Sequence, residues 1–189
     1  MRTWLPRSAR AAALGAIALA GAALAGPAAG TALGTVAGDF NGDGVPDRAE
    51  LIATGEVVDL EIYLSAGGRL PDKPTVVKHA IGWQGVLPGT EPSMSVTPRG
   101  TLVLVFKDDA VERARWRQEL KIAFDGGRFV VAGYGYTLRD PREPERSGSC
   151  ELDLVTGHGR RNHKPVSFPA GVVPLAEWTD RSFPKLCAF

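Results

Sequence analysis

Beyond residue 47 the chain alternates apolar and polar residues with a period near two, and it rarely holds a period of 3.6. A period of two sends successive side chains to opposite faces of an extended strand, so one face can be buried while the other stays wet. Candidate strands are Arg48–Ala53, Val57–Leu64, Thr75–His79, Ser93–Thr97, Thr101–Lys107, Trp116–Phe124, Phe129–Thr137 and Glu151–Val155. Between them stand short turn signals: Thr54-Gly55-Glu56, Ala66-Gly67-Gly68, Pro98-Arg99-Gly100, Asp125-Gly126-Gly127 and Gly157-His158-Gly159. Connections this short join antiparallel neighbours. The expected fold is therefore mainly β, a single antiparallel β domain built as a sandwich or a strongly twisted open sheet.

Asp125-Gly126-Gly127 is flanked closely by strand-like sequence on both sides and marks a hairpin. Asp108–Arg115 is charged and reads as a loop between strands, and Asp140–Ser149, polar and proline-bearing, as a mobile surface connection. No unit of 20 to 50 residues recurs, which argues against a propeller or solenoid.

The N-terminal residues read as an export signal. Arg2, Arg7 and Arg10 precede an apolar run, Ala11–Ala25, with no acid among them. That run is about 15 residues, short of the roughly 20 that a membrane-spanning helix needs, and it ends in small residues. Cleavage after Ala25 is expected, with Ala29 and Ala32 as alternatives, and an uncleaved anchor is the competing reading. Residues 1–25 are then the signal peptide and 33–189 the β domain, exported to a periplasmic or extracellular location without a transmembrane anchor after cleavage. No cysteine stands directly after the apolar run and Arg7 and Arg10 are not adjacent, so neither lipidation nor a twin-arginine signal is expected. The chain has 22 Lys and Arg; without the three leader arginines 19 remain, slightly outnumbered by the 21 Asp and Glu. Nothing in that balance points to nucleic acid or an anionic membrane.

Cys150 and Cys187 are the only cysteines. In an oxidising compartment the expectation is a disulfide between them, with buried free thiols as the alternative. The bond would close a loop of roughly 37 residues, worth about 4 kcal/mol in the chain-entropy model. It would pin an irregular tail rich in proline and aromatic residues.

The densest chemistry lies in Asp39-Phe-Asn41-Gly-Asp43-Gly44-Val-Pro-Asp47. Side-chain oxygens fall at loop positions 1, 3, 5 and 9 (Asp39, Asn41, Asp43, Asp47), with glycine at position 6 (Gly44) and the Val45 carbonyl at position 7. Alternate oxygens on a tightly curled loop converge on one point, and calcium takes six to eight oxygens at about 2.3 to 2.6 Å. Magnesium, which demands strict octahedral geometry, suits such a loop less well. Glu50 at position 12 completes an EF-hand pattern over residues 39–50. However, the preceding Thr31–Gly38 is small and glycine-rich, Pro46 removes a backbone donor, and the residues after the loop suit a strand. The loop reads as strand-loop-strand. The competing reading is an Asx-rich turn whose carboxylates satisfy their own backbone, set against the repulsion of three close carboxylates that lack a cation.

Val36–Asp47 resembles the calcium loop of FG-GAP and VCBS-type repeats, known from integrin-like propellers and many exported bacterial proteins. The resemblance implies calcium held by Asp39, Asn41, Asp43, Asp47 and the Val45 carbonyl. The chain carries one copy, so a propeller's binding face is not implied. The wider layout resembles small exported bacterial proteins of uncharacterised function, through Arg115-Trp116-Arg117, Gly127-Arg128-Phe129 with Gly133-Tyr134, and Leu154-Val-Thr-Gly157.

Other chemistry is sparse. His158 and His163 flank Gly159-Arg160-Arg161-Asn162, a cluster that suits an anion or transition metal but reads more simply as a solvated hairpin tip. His79 stands alone. The chain has no Gly-x-Ser-x-Gly elbow, no phosphate-binding glycine loop and no His-Glu-x-x-His. Asp108, Asp109, Glu143 and Glu145 lie in polar loops, where solvated charge is the ordinary reading. Trp83, Trp116, Tyr134 and Tyr136 would suit a sugar-binding face, although core and cross-strand packing is commoner. The expectation is an exported, non-catalytic, calcium-stabilised β module with an envelope-associated or extracellular binding role, its partner a glycan or envelope protein. The alternatives are a hydrolase of envelope or extracellular polymers, which needs a cleft with converging acid and base groups, and a carbohydrate-binding or adhesive module, which needs an exposed coplanar Trp/Tyr strip.

Overall fold

The computed structural model describes residues 30–110 and 113–189, so the expected signal peptide and the cleavage points at Ala25 and Ala29 lie outside the described residues. The first four strands are β1 (Thr31–Gly38), β2 (Asp47–Thr54), β3 (Val57–Tyr63) and β4 (Val76–Trp83), paired antiparallel in chain order. Next come β5 (Ser93–Val96), β6 (Leu102–Asp108), β7 (Arg115–Asp125), β8 (Arg128–Arg139), β9 (Gly148–Asp153), β10 (His158–Arg161) and β11 (Lys164–Ser167). These pair antiparallel, again in chain order, and a short β12 (Val173–Pro174) pairs with β8. The protein is thus mainly β, two antiparallel meanders laid face to face as a sandwich. Among the described residues the helical pieces are single 3-10 turns.

Alternation builds the interior. β2 turns Ala49, Leu51 and Ala53 inward and Arg48, Glu50 and Ile52 outward. Val58, Leu60 and Ile62 of β3 join them, and the long sheet answers with Leu102, Leu104, Phe106, Leu120 and Ile122. The short sheet roofs only part of the long sheet's inner face. The rest lies under the segment after β12, where Leu175, Trp178 and Cys187 are buried. Tyr134 packs between Trp178 and Phe183, with ring centroids 5.9 and 5.4 Å away, and Tyr136 stacks near-parallel on Phe189. The disulfide joins Cys150 on β9 to Cys187 in this segment, as expected. Arg161 adds two hydrogen bonds of 2.9 Å to the Leu186 and Ala188 carbonyls.

Three departures from the sequence reading have local causes. β4 continues past His79 to Trp83 because a bulge carries it: Ala80 takes φ +51°, and Asp59 accepts the Ala80 N–H at 2.8 Å opposite a register shift in β3. Gly157-His158-Gly159 is not the turn. The Asp153 carboxylate accepts the Val155 and Thr156 N–H groups, so the chain turns earlier, and His158–Arg161 forms an unexpected strand paired with β9 and β11. Asn162 and His163, both at positive φ, make the next turn. Finally, Asp140–Ser149 is pinned. The Arg113 guanidinium donates to Asp140 at 2.6 Å and Glu143 at 2.9 Å, and the buried Asp140 carboxylate also accepts the Arg142 and Glu143 N–H groups. Burial pushes the Asp140 carboxyl up, but these donors outweigh it and hold it below the usual range.

Candidate functional site

The last rung of the β1–β2 ladder pairs Gly38 with Asp47, so residues 39–46 form a closed connection with its ends locked side by side. Gly42 and Gly44 sit at φ +79° and +82°, the left-handed region where side chains are rarely tolerated. They let the chain wind around its own side chains. Asp39 Oδ1 accepts the N–H groups of Gly42 (2.7 Å) and Asp43 (3.1 Å), while its Oδ2 accepts Gly44 N–H at 2.8 Å. Asn41 Oδ1 accepts Asp43 N–H at 3.0 Å, and Asp43 Oδ1 accepts Val45 N–H at 2.8 Å. The Asn41 amide also donates to Asp43 Oδ2 at 3.0 Å, which brings these two side chains together.

Asp47 serves a different contact. Its carboxylate is 1% exposed and accepts Phe40 N–H at 2.9 Å and Ser65 N–H at 2.8 Å. Ser65 Oγ donates in turn to the Pro46 carbonyl. Asp47 therefore clips the loop, whose Phe40 ring enters the core, to the chain just after β3. Sequence reasoning missed Ser65, since nothing in a serine 18 residues downstream marks it as a partner of the loop. A second unforeseen neighbour is Gly100, at φ +79° in the β5–β6 turn, where an added Cβ would collide with the Asp39 carbonyl oxygen. The loop thus touches both sheets. Glu50 lies in β2, 3.3 Å from Arg48 and paired across to Glu61, so the arrangement is strand-loop-strand.

Among the described residues no three His, Cys, Asp or Glu side chains are gathered as a metal cage. The loop's donors include an amide and a main-chain carbonyl, and Asp47 faces two backbone N–H groups. An ionised carboxylate offers about four lone-pair sites. Asp39, Asp43 and Asp47 each keep lone pairs beyond the hydrogen bonds they accept. All donors in the set are hard oxygens, the chemistry that suits calcium and not thiolate- or imidazole-seeking metals.

The remaining candidates are dispersed. His158 Nδ1 lies 3.2 Å from Ser167 Oγ, and His163 occupies the turn at the far end of β10. His79 is largely exposed beside Asp59, at 2.8 Å. On the outer face of the long sheet a shallow trough of about 750 Å³ runs over Gly133. Lys121 there lies 3.4 Å from Glu151 and 3.7 Å from Glu119, which answers both acids. The aromatic residues do not form the coplanar strip that the adhesive alternative needs: Trp83 and Trp116 meet at 5.9 Å with planes inclined by 45°, and Tyr134 is 1% exposed beneath the tail. In its place is a groove of about 400 Å³ where β4, the long sheet and Phe183 meet. Comparison of the chain with protein-family models, curated proteins and solved structures yields no significant match.

Proposed function

We propose that the chain is an exported, non-catalytic β module with an envelope-associated or extracellular binding role, whose first hairpin is held by a calcium ion. The observation that carries this reading is the winding of residues 39–46 around Asp39, Asn41 and Asp43, closed at its end by Asp47. In this reading the ligands are Asp39, Asn41, Asp43, Asp47 and the Val45 carbonyl, and the ion supplies charge that offsets three carboxylates close together in sequence. Its role is structural. An ion that binds only the folded state adds its binding free energy to folding stability, and this loop touches both sheets. The disulfide and the lack, among the described residues, of any helix long and apolar enough to cross a membrane are compatible with export.

Thermal unfolding tests the metal. Calcium at about 100 times its Kd would add about 2.7 kcal/mol, or roughly 5 to 11 °C in Tm for a domain of this size. Asp43→Ala should abolish the response. A Tm that does not move between EGTA and millimolar calcium, with Asp43→Ala matching the parent, would sink the proposal.

A further inference from the structure

We infer that the groove between the edge of the short sheet and the C-terminal segment is a carbohydrate-binding site that takes a short run of neutral pyranose rings. The inference rests on the binding-module reading above but not on the calcium loop. The inner face of the long sheet is roofed by the short sheet on one side and by the disulfide-tied tail on the other. Between these roofs Trp116, Gln118 and Tyr136 form an open floor, with Trp83 at the end of β4 on one wall and Phe183 on the other. The resulting space, about 400 Å³, falls within the roughly 300 to 1,000 Å³ of small-molecule sites.

Four aromatic rings beside one another would ordinarily be closed over by packing. Here they line an open groove that also holds unused polar atoms. Neither Trp116 Nε1 nor Tyr136 Oη makes a hydrogen bond to a described residue. Gln118 uses its Nε2 on Tyr134 Oη at 3.3 Å, which leaves its carbonyl oxygen. Glu56 accepts Trp83 Nε1–H through Oε2 at 3.3 Å, which leaves its second oxygen. Apolar ring surface bordered by both donors and acceptors matches a sugar ring, which has C–H faces and a rim of hydroxyls. A purely apolar ligand would leave these polar groups without partners. An anion would meet Glu56 and no Lys or Arg in the lining. An added peptide strand is disfavoured as well, because the bulge at Ala80 breaks the free edge of β4.

The test titrates chitohexaose and cellohexaose into the purified full chain, followed by tryptophan emission, acrylamide quenching and calorimetry. At least one hexasaccharide should bind saturably and shield tryptophan from acrylamide. Val57→Arg, at a 48% exposed position paired with Trp83 on the rim, should weaken binding about tenfold or more by obstructing the groove. Gln118→Leu, which removes the acceptor and keeps the shape, should do likewise, with both variants melting near the parent. Absence of saturable binding by both sugars, or affinities within about twofold of the parent in both variants, overturns the site. Saturable binding of indole without either sugar, or a dimer that Val57→Arg dissolves, also overturns it by naming another occupant. Melting with calcium and with EGTA reads the loop separately, so sugar binding without a calcium response refutes the loop alone, and the converse refutes the groove alone.

Discussion

Asp47→Ala should be among the most damaging single substitutions outside the apolar core. The side chain accepts two backbone N–H groups, from Phe40 and Ser65, at a position only 1% exposed. Hydrogen bonds to a charged group contribute about 1.5 to 3 kcal/mol each, and buried donors left without acceptors cost a similar amount. Loss of both therefore destabilises by about 3 to 6 kcal/mol. With about 2 to 4 °C per kcal/mol for a domain of this size, Tm should fall by roughly 6 to 24 °C. Asp47→Asn keeps one carbonyl acceptor and should lose about half as much. The measurement is thermal unfolding followed by far-UV circular dichroism in EGTA, so that no calcium contributes. Asp43→Ala is the control: Asp43 is exposed, water can replace its contacts to Val45 and Asn41, and its change should stay within about 0.5 kcal/mol. Asp47→Ala melting within about 3 °C of the parent, or Asp43→Ala falling as far, would refute the idea that Asp47 acts as a structural clip apart from any metal.

Replacing both cysteines with alanine should release the C-terminal segment and cost about 4 kcal/mol in the chain-entropy model, with trypsin then cutting first near Arg181 and Lys185; equal Tm and equal protease resistance would contradict this. Gly100→Ala should destabilise by more than about 1 kcal/mol, because it combines a positive φ with a collision against the Asp39 carbonyl; a Tm equal to the parent's would show that the β5–β6 turn can move off the loop. The three tyrosines should titrate late. The Glu61 hydrogen bond raises Tyr63, and burial raises Tyr134 and Tyr136. Folded values above the unfolded value of about 10 mean that their stabilisation is complete below that pH and is lost as pH rises through the folded values. Tyrosinate absorbance should therefore appear together with alkaline unfolding, whereas three phenols ionising near pH 10 in an intact fold would contradict the burial.

The strands most legible in sequence are those with one dry face. β2, β3 and β7 show alternation that burial follows nearly residue by residue, since a strand covered on one side needs apolar side chains at every second position, whereas β6 and β8 each bury a run of three residues. β10 and β11 carry little such signal. His158-Gly-Arg-Arg161 and Lys164-Pro-Val-Ser167 lie at the end of the long sheet with mostly exposed side chains, and pairing with β9 and with each other makes them strands. β1 is similar: small residues, half-buried at most, drawn into the sheet by β2.

The sequence by itself determined the β class, the cysteine pair and the local chemistry of residues 39–47. Each of these depends on spacing along the chain or, for the cysteines, on there being only two to pair. Oxygens at alternate positions and glycines at the turns produce the same winding wherever the loop sits. The tertiary structure alone decided what that loop touches. Asp47 reaches Ser65 and Gly100 abuts Asp39 because the β3–β4 connection and the β5–β6 turn are folded back onto it, contacts between segments far apart in the chain. The aromatic groove has the same origin. Trp83, Trp116 and Phe183 come from three distant segments, and the gap between two partial roofs, not any motif, brings their rings to line one groove.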